Sequence, residues 1–212
     1  MMLRIAYWIV PLMASTFFMA CQQTKGPLPY LGPHQQVGDS TVYYRIDSFA
    51  FINQDSQLVT AESLRGKVYV VDFFFISCPT ICPVMTKHMK ELYRRYESDP
   101  RVVLLSFTLD PRHDTIPRLK RYAQKLGVSA PKWNFLYGEK EDIYSTASKF
   151  LISASQEDDS DPLTIIHSGK FVLVDSDGHL RSYCDGTSRE DVYRLAEDID
   201  RLLDARDDAG HD

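Results

Sequence analysis

The chain has 212 residues, a formal charge of -5 at pH 7, 44% hydrophobic and 25% charged residues, 10 glycines and 11 prolines. That is the profile of one globular domain with appendages, and it excludes a collagenous or wholly disordered chain. No basic excess is present to grip a phosphate backbone, so nucleic acid is not an expected partner, and the 4 cysteines are too few for a disulfide-scaffold mini-protein.

Residues 1–20 carry Arg4 as their sole charge and an apolar stretch from Ile5 to Ala20. The stretch is short for a membrane span, which needs about 20 apolar residues, and it fits a secretory signal ending in small residues. Cys21 directly follows Ala20, and Phe18-Met19-Ala20-Cys21 resembles a bacterial lipobox, in which the cysteine is lipidated and becomes the mature N-terminus. The alternative is an uncleaved apolar anchor with an incidental cysteine. Either way the domain is expected to be exported, periplasm-facing and membrane-anchored. Residues 21–39 are rich in Gln, Pro and Gly and read as a linker, which could reach roughly 60 Å if extended. Tyr30 and Leu31 are its candidates for docking on the domain. The domain is expected over 40–205, with a disordered tail at 206–212.

Within the domain, 42–52 alternates enough for one or two strands, and 53–56 is a turn. The run Lys67–Ile76 is dense in β-branched and aromatic residues and predicts a strand buried on both faces. Apolar residues at Met85, Met89, Leu92, Tyr93 and Tyr96 space a helix over 84–96. A second buried strand is expected over 102–109, and a helix over 114–126 with Gly127 as its stop. A third helix is expected over 139–151, followed by a polar, acidic loop at 153–161. Strands at 170–174 and 180–184 flank Asp175-Ser176-Asp177-Gly178, a hairpin signal. The last helix spans 188–203, with Ser188 as its N-cap. Strand, helix, strand, two helices, hairpin and helix make an α/β layer around a mixed sheet. In such sheets chemistry gathers beyond the carboxyl ends of the central strands, where Ser77–Pro83 falls.

That segment reads Ser-Cys-Pro-Thr-Ile-Cys-Pro. Pro83 would break a helix interior but is favoured in the first turn, so Cys82 is expected at the helix N-cap and Cys78 in the preceding turn. Unpaired N–H groups and the helix dipole there favour thiolate over thiol. Thiolates serve both disulfide exchange and soft-metal binding. A plain structural disulfide, or two unrelated buried cysteines, are the bland alternatives.

The string VVDFFFISCPTICP resembles the active-site strand and turn of thioredoxin-like proteins, with Asp72 six residues before Cys78. Its Cys-x-x-x-Cys-Pro form resembles the Sco/SenC family, exported copper proteins linked to cytochrome c oxidase assembly. Ser106–Pro111 with Asp114, Thr115 and Leu119, Trp133–Gly138, and Ile166-His167-Ser168 before Phe171–Asp175 and Gly178 are similar to further segments of that family. The resemblance runs from about Tyr43 to Leu203. It implies a thioredoxin-like α/β fold with a central mixed β-sheet flanked by helices, and copper held by Cys78, Cys82 and His167. It implies as partner the copper-bearing subunit of cytochrome c oxidase or another copper protein. The chain departs from the family at Ile166, where an acidic residue is frequent, and in its lipid-type tether.

Among the other histidines, His34, His179 and His211 read as solvated, His88 as pointing away from the cysteines, and His113 as a minor candidate ligand. Met85 reads as core and Cys184 as a buried free thiol. Two thiolates and an imidazole suit Cu(I) or Cu(II), and with an added water also zinc; the resemblance, not the ligand set, selects copper. The leading function is a membrane-tethered copper-delivery protein. The alternative is a thiol–disulfide oxidoreductase cycling Cys78 and Cys82; a thiol peroxidase lacks an identifiable activating cation.

Overall fold

A computed structural model describes residues 26–158 and 160–209. The expected signal segment, the expected lipidation site Cys21 and His211 therefore lie outside the described residues. In chain order the elements are β1 His34–Val37, β2 Ser40–Tyr43, β3 Ala50–Asn53, β4 Leu58–Thr60, β5 Val68–Phe74, α1 Cys82–Tyr96, β6 Val102–Thr108 and α2 Ile116–Leu126. They continue with β7 Trp133–Tyr137, α3 Lys140–Lys149, β8 Ala154–Gln156, β9 Ile165–His167, β10 Lys170–Val174, β11 Leu180–Asp185 and α4 Arg189–Ala209.

Seven strands form one sheet in the order β11-β10-β5-β6-β7-β3-β4. The β5, β6 and β7 strands are parallel, while β10, β11, β3 and β4 run antiparallel to their neighbours. Every residue of β5 and β6 is buried, as expected for central strands covered on both faces. Alternation sends Phe73 and Phe74 to opposite faces. Phe73 stacks on Phe107 beside Phe150, just past α3, while Phe74 stacks on Tyr122 of α2 and tilts against Phe135. The rings thus pin helices to both sides of the sheet. The α1 and α4 helices are joined by Tyr96, whose single hydroxyl proton is shared between Ala196 O at 2.8 Å and Asp200 Oδ1 at 2.7 Å.

The central strands and helices fall within a few residues of their expected bounds, and Gly127 ends α2 in the left-handed conformation (φ 69°). Ser188 Oγ accepts from Asp191 N at 3.3 Å, in keeping with its capping role. Four differences have physical causes. First, Ile81 is the helix N-cap and Cys82 is already inside α1. Second, α4 continues past 205 into the expected tail, held by Arg206 donating to Gly66 O and by the Arg101–Asp207 ion pair. Third, the acidic loop is bracketed by β8 and β9, which pair as a separate hairpin.

Fourth, residues 26–39 do not stand off the domain. Leu31 N donates to Leu180 O at 2.8 Å, Arg201 donates to Gly26 O, and Leu28 is buried. Arg181 donates to Pro29 O and Leu28 O, and its guanidinium lies 4.1 Å from the Tyr30 ring centroid. Tyr30 in turn stacks on Tyr43 of β2, the strand that pairs with β1 of this segment.

Candidate metal centre

Beyond Phe74 the chain leaves the sheet through Phe75, Ile76 and Ser77 to Cys78, then enters α1 at Cys82. Two hydrogen bonds fix this exit. Leu109 N donates to Phe74 O at 2.7 Å, and Ile76 N donates to Asp114 Oδ2 at 2.9 Å. Asp114 is fully buried and its Oδ2 also accepts from Thr108 Oγ1 at 2.8 Å. The β6–α2 loop therefore clamps the cysteine loop. Composition and spacing did not single out this role, although Asp114 lies in a segment that carries the family resemblance.

From the other side, the β8–β9 hairpin brings in His167, paired with Ala154 across the strands. His167 Nε2 lies 3.5 Å from Cys82 Sγ, and the Phe75 ring meets the imidazole edge-on at 5.9 Å between centroids. One ligand atom each from Cys78, Cys82 and His167 all lie within 4.8 Å of one another. Two residues 85 positions apart in sequence are thus joined by the fold. Among the described residues, the cysteines at 78, 82 and 184 are free thiols.

The protonation chemistry is asymmetric. Burial pushes the Cys78 thiol up, but N–H groups of Cys82 and Thr80 and contacts with both their side chains outweigh it and leave its pKa below the ordinary value. Thr80 Oγ1 sits 3.6 Å from Cys78 Sγ, a contact that the spacing of the motif does not announce. Burial instead drives the Cys82 thiol well above its usual range, and the neighbouring Cys78 and Asp72 add to that rise. Burial lowers His167, against a smaller opposing effect of the Ser168 carbonyl. His167 Nδ1 faces Ser168 O at 3.2 Å. A carbonyl only accepts, so Nδ1 carries the proton and Nε2 offers a lone pair toward Cys82. A neutral imidazole with its second nitrogen so anchored is the form that ligates metals.

These residues fit a soft metal. A first-row ion about 2.3 Å from sulfur and 2.0 Å from nitrogen needs its ligand atoms roughly 3.5–4 Å apart, so small rotamer changes close the 4.8 Å envelope. Thiolate with imidazole is the donor set that Cu(I) and zinc prefer, and imidazole extends it to Cu(II).

The remaining candidates lie elsewhere. His113 Nδ1 is bound to both carboxylate oxygens of Asp110 at 2.9 Å. The His88 ring is buried, with Nδ1 donating to Gly186 O at 2.8 Å. His34 is exposed, as expected, but His179 is half-buried and donates from Nδ1 to Tyr44 O at 2.9 Å, so it is not a freely solvated residue. Met85 is fully buried in the core and Cys184 is a buried thiol, both as expected. Among the described residues, the Cys78, Cys82 and His167 cluster is the group of three that could hold a metal ion.

Comparisons with known proteins agree with this arrangement. A family profile described as SCO1/SenC matches residues 40–204. The chain is 32% identical over 170 residues to the SCO1 protein homolog of Bacillus subtilis, covering 78% of this chain and 86% of that protein. It is similar in structure to a SCO1/SenC family lipoprotein from Bacillus anthracis (TM-score 0.68, 31% identity, 76% of this chain and 95% of that one). It is also similar to BsSco, described as having a disulfide switch and as a member of the Sco family of cytochrome c oxidase assembly proteins (TM-score 0.65, 33% identity, 79% and 98% covered). Bradyrhizobium japonicum ScoI, solved with copper bound, matches at TM-score 0.62 and 25% identity over 74% of this chain and 98% of that one. With its mixed sheet flanked by helices and its cysteines at the end of the central strand, this thioredoxin-like chain belongs to the SCO1/SenC family.

Proposed function

We propose that the chain carries one copper ion as cargo between Cys78 Sγ, Cys82 Sγ and His167 Nε2, and hands it to the copper-bearing subunit of a respiratory cytochrome c oxidase. The observation that carries this reading is the convergence of two free sulfurs and a lone-pair nitrogen within 4.8 Å. It is supported by relatives solved with copper or described as oxidase assembly proteins. The site lies at the end of a central strand, with Cys78 and Cys82 buried and His167 half-buried. Exposed Ile166, next to His167 in β9, offers a partner an apolar contact. Ligand exchange then proceeds with Cys78, whose thiol ionises more easily, as the natural first sulfur to bind and the natural one to share.

For membrane tethering we propose that residues 1–20 direct export and that Cys21 takes the lipid. The lipobox-like sequence supports this, as does a similar protein described as a lipoprotein. No described helix is long and apolar enough to cross a membrane.

A second reading is favoured by the opposite displacement of the two thiols. In thiol–disulfide exchange the Cys78 thiolate attacks a partner's disulfide, forming a mixed disulfide and releasing one partner thiolate. Cys82, after giving up its proton, attacks Cys78 Sγ and releases the second. The partner gains two electrons and the Cys78–Cys82 pair is oxidised. This prepares a partner's copper-ligand cysteines for metal.

The experiment that separates the readings measures copper stoichiometry, copper Kd and disulfide-exchange rate for the wild-type chain and His167→Ala. Cargo binding predicts one copper per chain and a marked loss of affinity in His167→Ala. Full copper affinity in that variant removes His167 from the ligand set, and unimpaired exchange together with it favours the oxidoreductase.

A further inference from the structure

The sequence sets His88 aside as pointing away from the cysteines, yet its ring is 5% exposed and committed to a specific bond. Nδ1 lies 2.8 Å from Gly186 O. The carbonyl can only accept, so His88 is the Nδ1–H tautomer and donates. Gly186 follows β11, an edge strand of the sheet, so no further strand can supply that donor. Gly186 N in turn donates to Gly169 O at 2.7 Å. Gly169 stands two residues after His167. Its α-carbon packs toward Ile81 and Met85, where an added methyl would lie 3.6 Å from Ile81 Cδ1 and 3.8 Å from Met85 Sδ. At Gly186 a side chain is impossible without movement: a Cβ would sit 2.6 Å from Phe171 Cε1 and 2.8 Å from Gly169 O.

From these contacts we infer that His88 is a positioning residue for His167. It acts from the helix that begins with Cys82, through Gly186 and Gly169, on the turn that presents the imidazole. The β8 strand anchors His167 from the N-terminal side of that turn, and Ser168 N donates to Ser153 O at 3.2 Å. The His88–Gly186–Gly169 chain anchors it from the C-terminal side. The helix bearing one sulfur and the hairpin bearing the nitrogen are thereby locked in register, which a three-ligand site requires from groups on separate elements. Outer-shell partners that orient a ligand commonly contribute tenfold or more to metal affinity. The inference rests on the metal-binding reading of the trio and adds a residue to it.

The test compares the reduced full chain with His88→Leu, His88→Asn and His88→Gln, reading Cu(I) affinity by competition. An Asn amide N–H falls near the position of Nδ1–H, whereas a Gln amide reaches past it. Affinity near wild type is expected for His88→Asn, with about tenfold weaker binding for His88→Leu and His88→Gln. In the metal-free chains, amide hydrogen exchange at Gly186 is expected to accelerate in the Leu and Gln variants and not in Asn. In a His167→Ala background, His88→Leu is expected to change copper affinity by less than twofold, because its effect passes through the imidazole. If His88→Leu does not fold, the Asn and Gln pair decides. Equal affinities for Asn and Gln, or a full His88→Leu effect retained without His167, overturn the inference. A wild-type chain that binds no copper instead overturns the cargo reading, while Gly186 exchange still reports on the anchor.

Discussion

His167 Nε2 sits 3.5 Å from Cys82 Sγ, closing a gap of 85 positions in the chain. The contact joins the most deeply buried sulfur of the pair to a nitrogen that burial keeps neutral. In the metal-free protein the Cys82 thiol donates to the imidazole, and metal binding exchanges that proton for an ion.

The two cysteines should therefore differ in reactivity. Cys78 is held below the usual thiol range by surrounding N–H and side-chain groups that outweigh its burial, while burial first, then Cys78 and Asp72, hold Cys82 far above it. Limited alkylation of the reduced, metal-free chain at neutral pH should label Cys78 first, read by peptide mass. Predominant labelling of Cys82 contradicts the assignment of roles.

Asp72 should make stability depend on pH. It is fully buried, and burial, against a weaker hydrogen bond from Ser106, raises its pKa from 3.8 to about 7. Its Oδ1 has no hydrogen-bond partner. Between these two values the folded state keeps a proton that the unfolded state releases, so this stabilisation is complete at low pH and is lost as pH rises toward 7. The change is on the order of 4 kcal/mol. Urea midpoints of wild type and Asp72→Asn should diverge in favour of Asp72→Asn between pH 4 and pH 8. Parallel profiles contradict a raised pKa.

Arg181 should hold the segment before the domain in place. Its side chain is 10% exposed and pairs with Asp175 at 2.7 Å, while its remaining N–H groups reach Pro29 O and Leu28 O. Arg181→Ala leaves a buried carboxylate unpaired, at a cost of about 3 kcal/mol. It should also expose residues 28–31 to proteases well before the domain unfolds. Unchanged cleavage in that stretch contradicts docking through Arg181.

The central strands were legible because β5 and β6 consist almost entirely of residues that tolerate burial on both faces. Gly66 and Ser77 bracket the first of them. The cysteine loop was legible from Pro83, which confines the start of α1 to a narrow choice. Periodicity could not reveal the docking of residues 26–39. That docking rests on Arg181 reaching backbone carbonyls more than 150 positions away, and carbonyls carry no sequence signal. The β8–β9 hairpin was hidden for a related reason: Ala154–Gln156 is short and polar, and its pairing depends on where His167 already lies. The anchoring bond of His88 was equally silent, since a glycine carbonyl accepts it.

The central claim is that two sulfurs and one imidazole share a single copper ion. The most direct measurement is X-ray absorption at the copper edge of the reduced full chain loaded with one equivalent, beside His167→Ala. The expected spectrum has two sulfur neighbours at about 2.3 Å and one nitrogen at about 2.0 Å, with the nitrogen lost and both sulfurs kept in His167→Ala. A wild-type spectrum lacking sulfur neighbours, or an identical nitrogen shell in both chains, would contradict it.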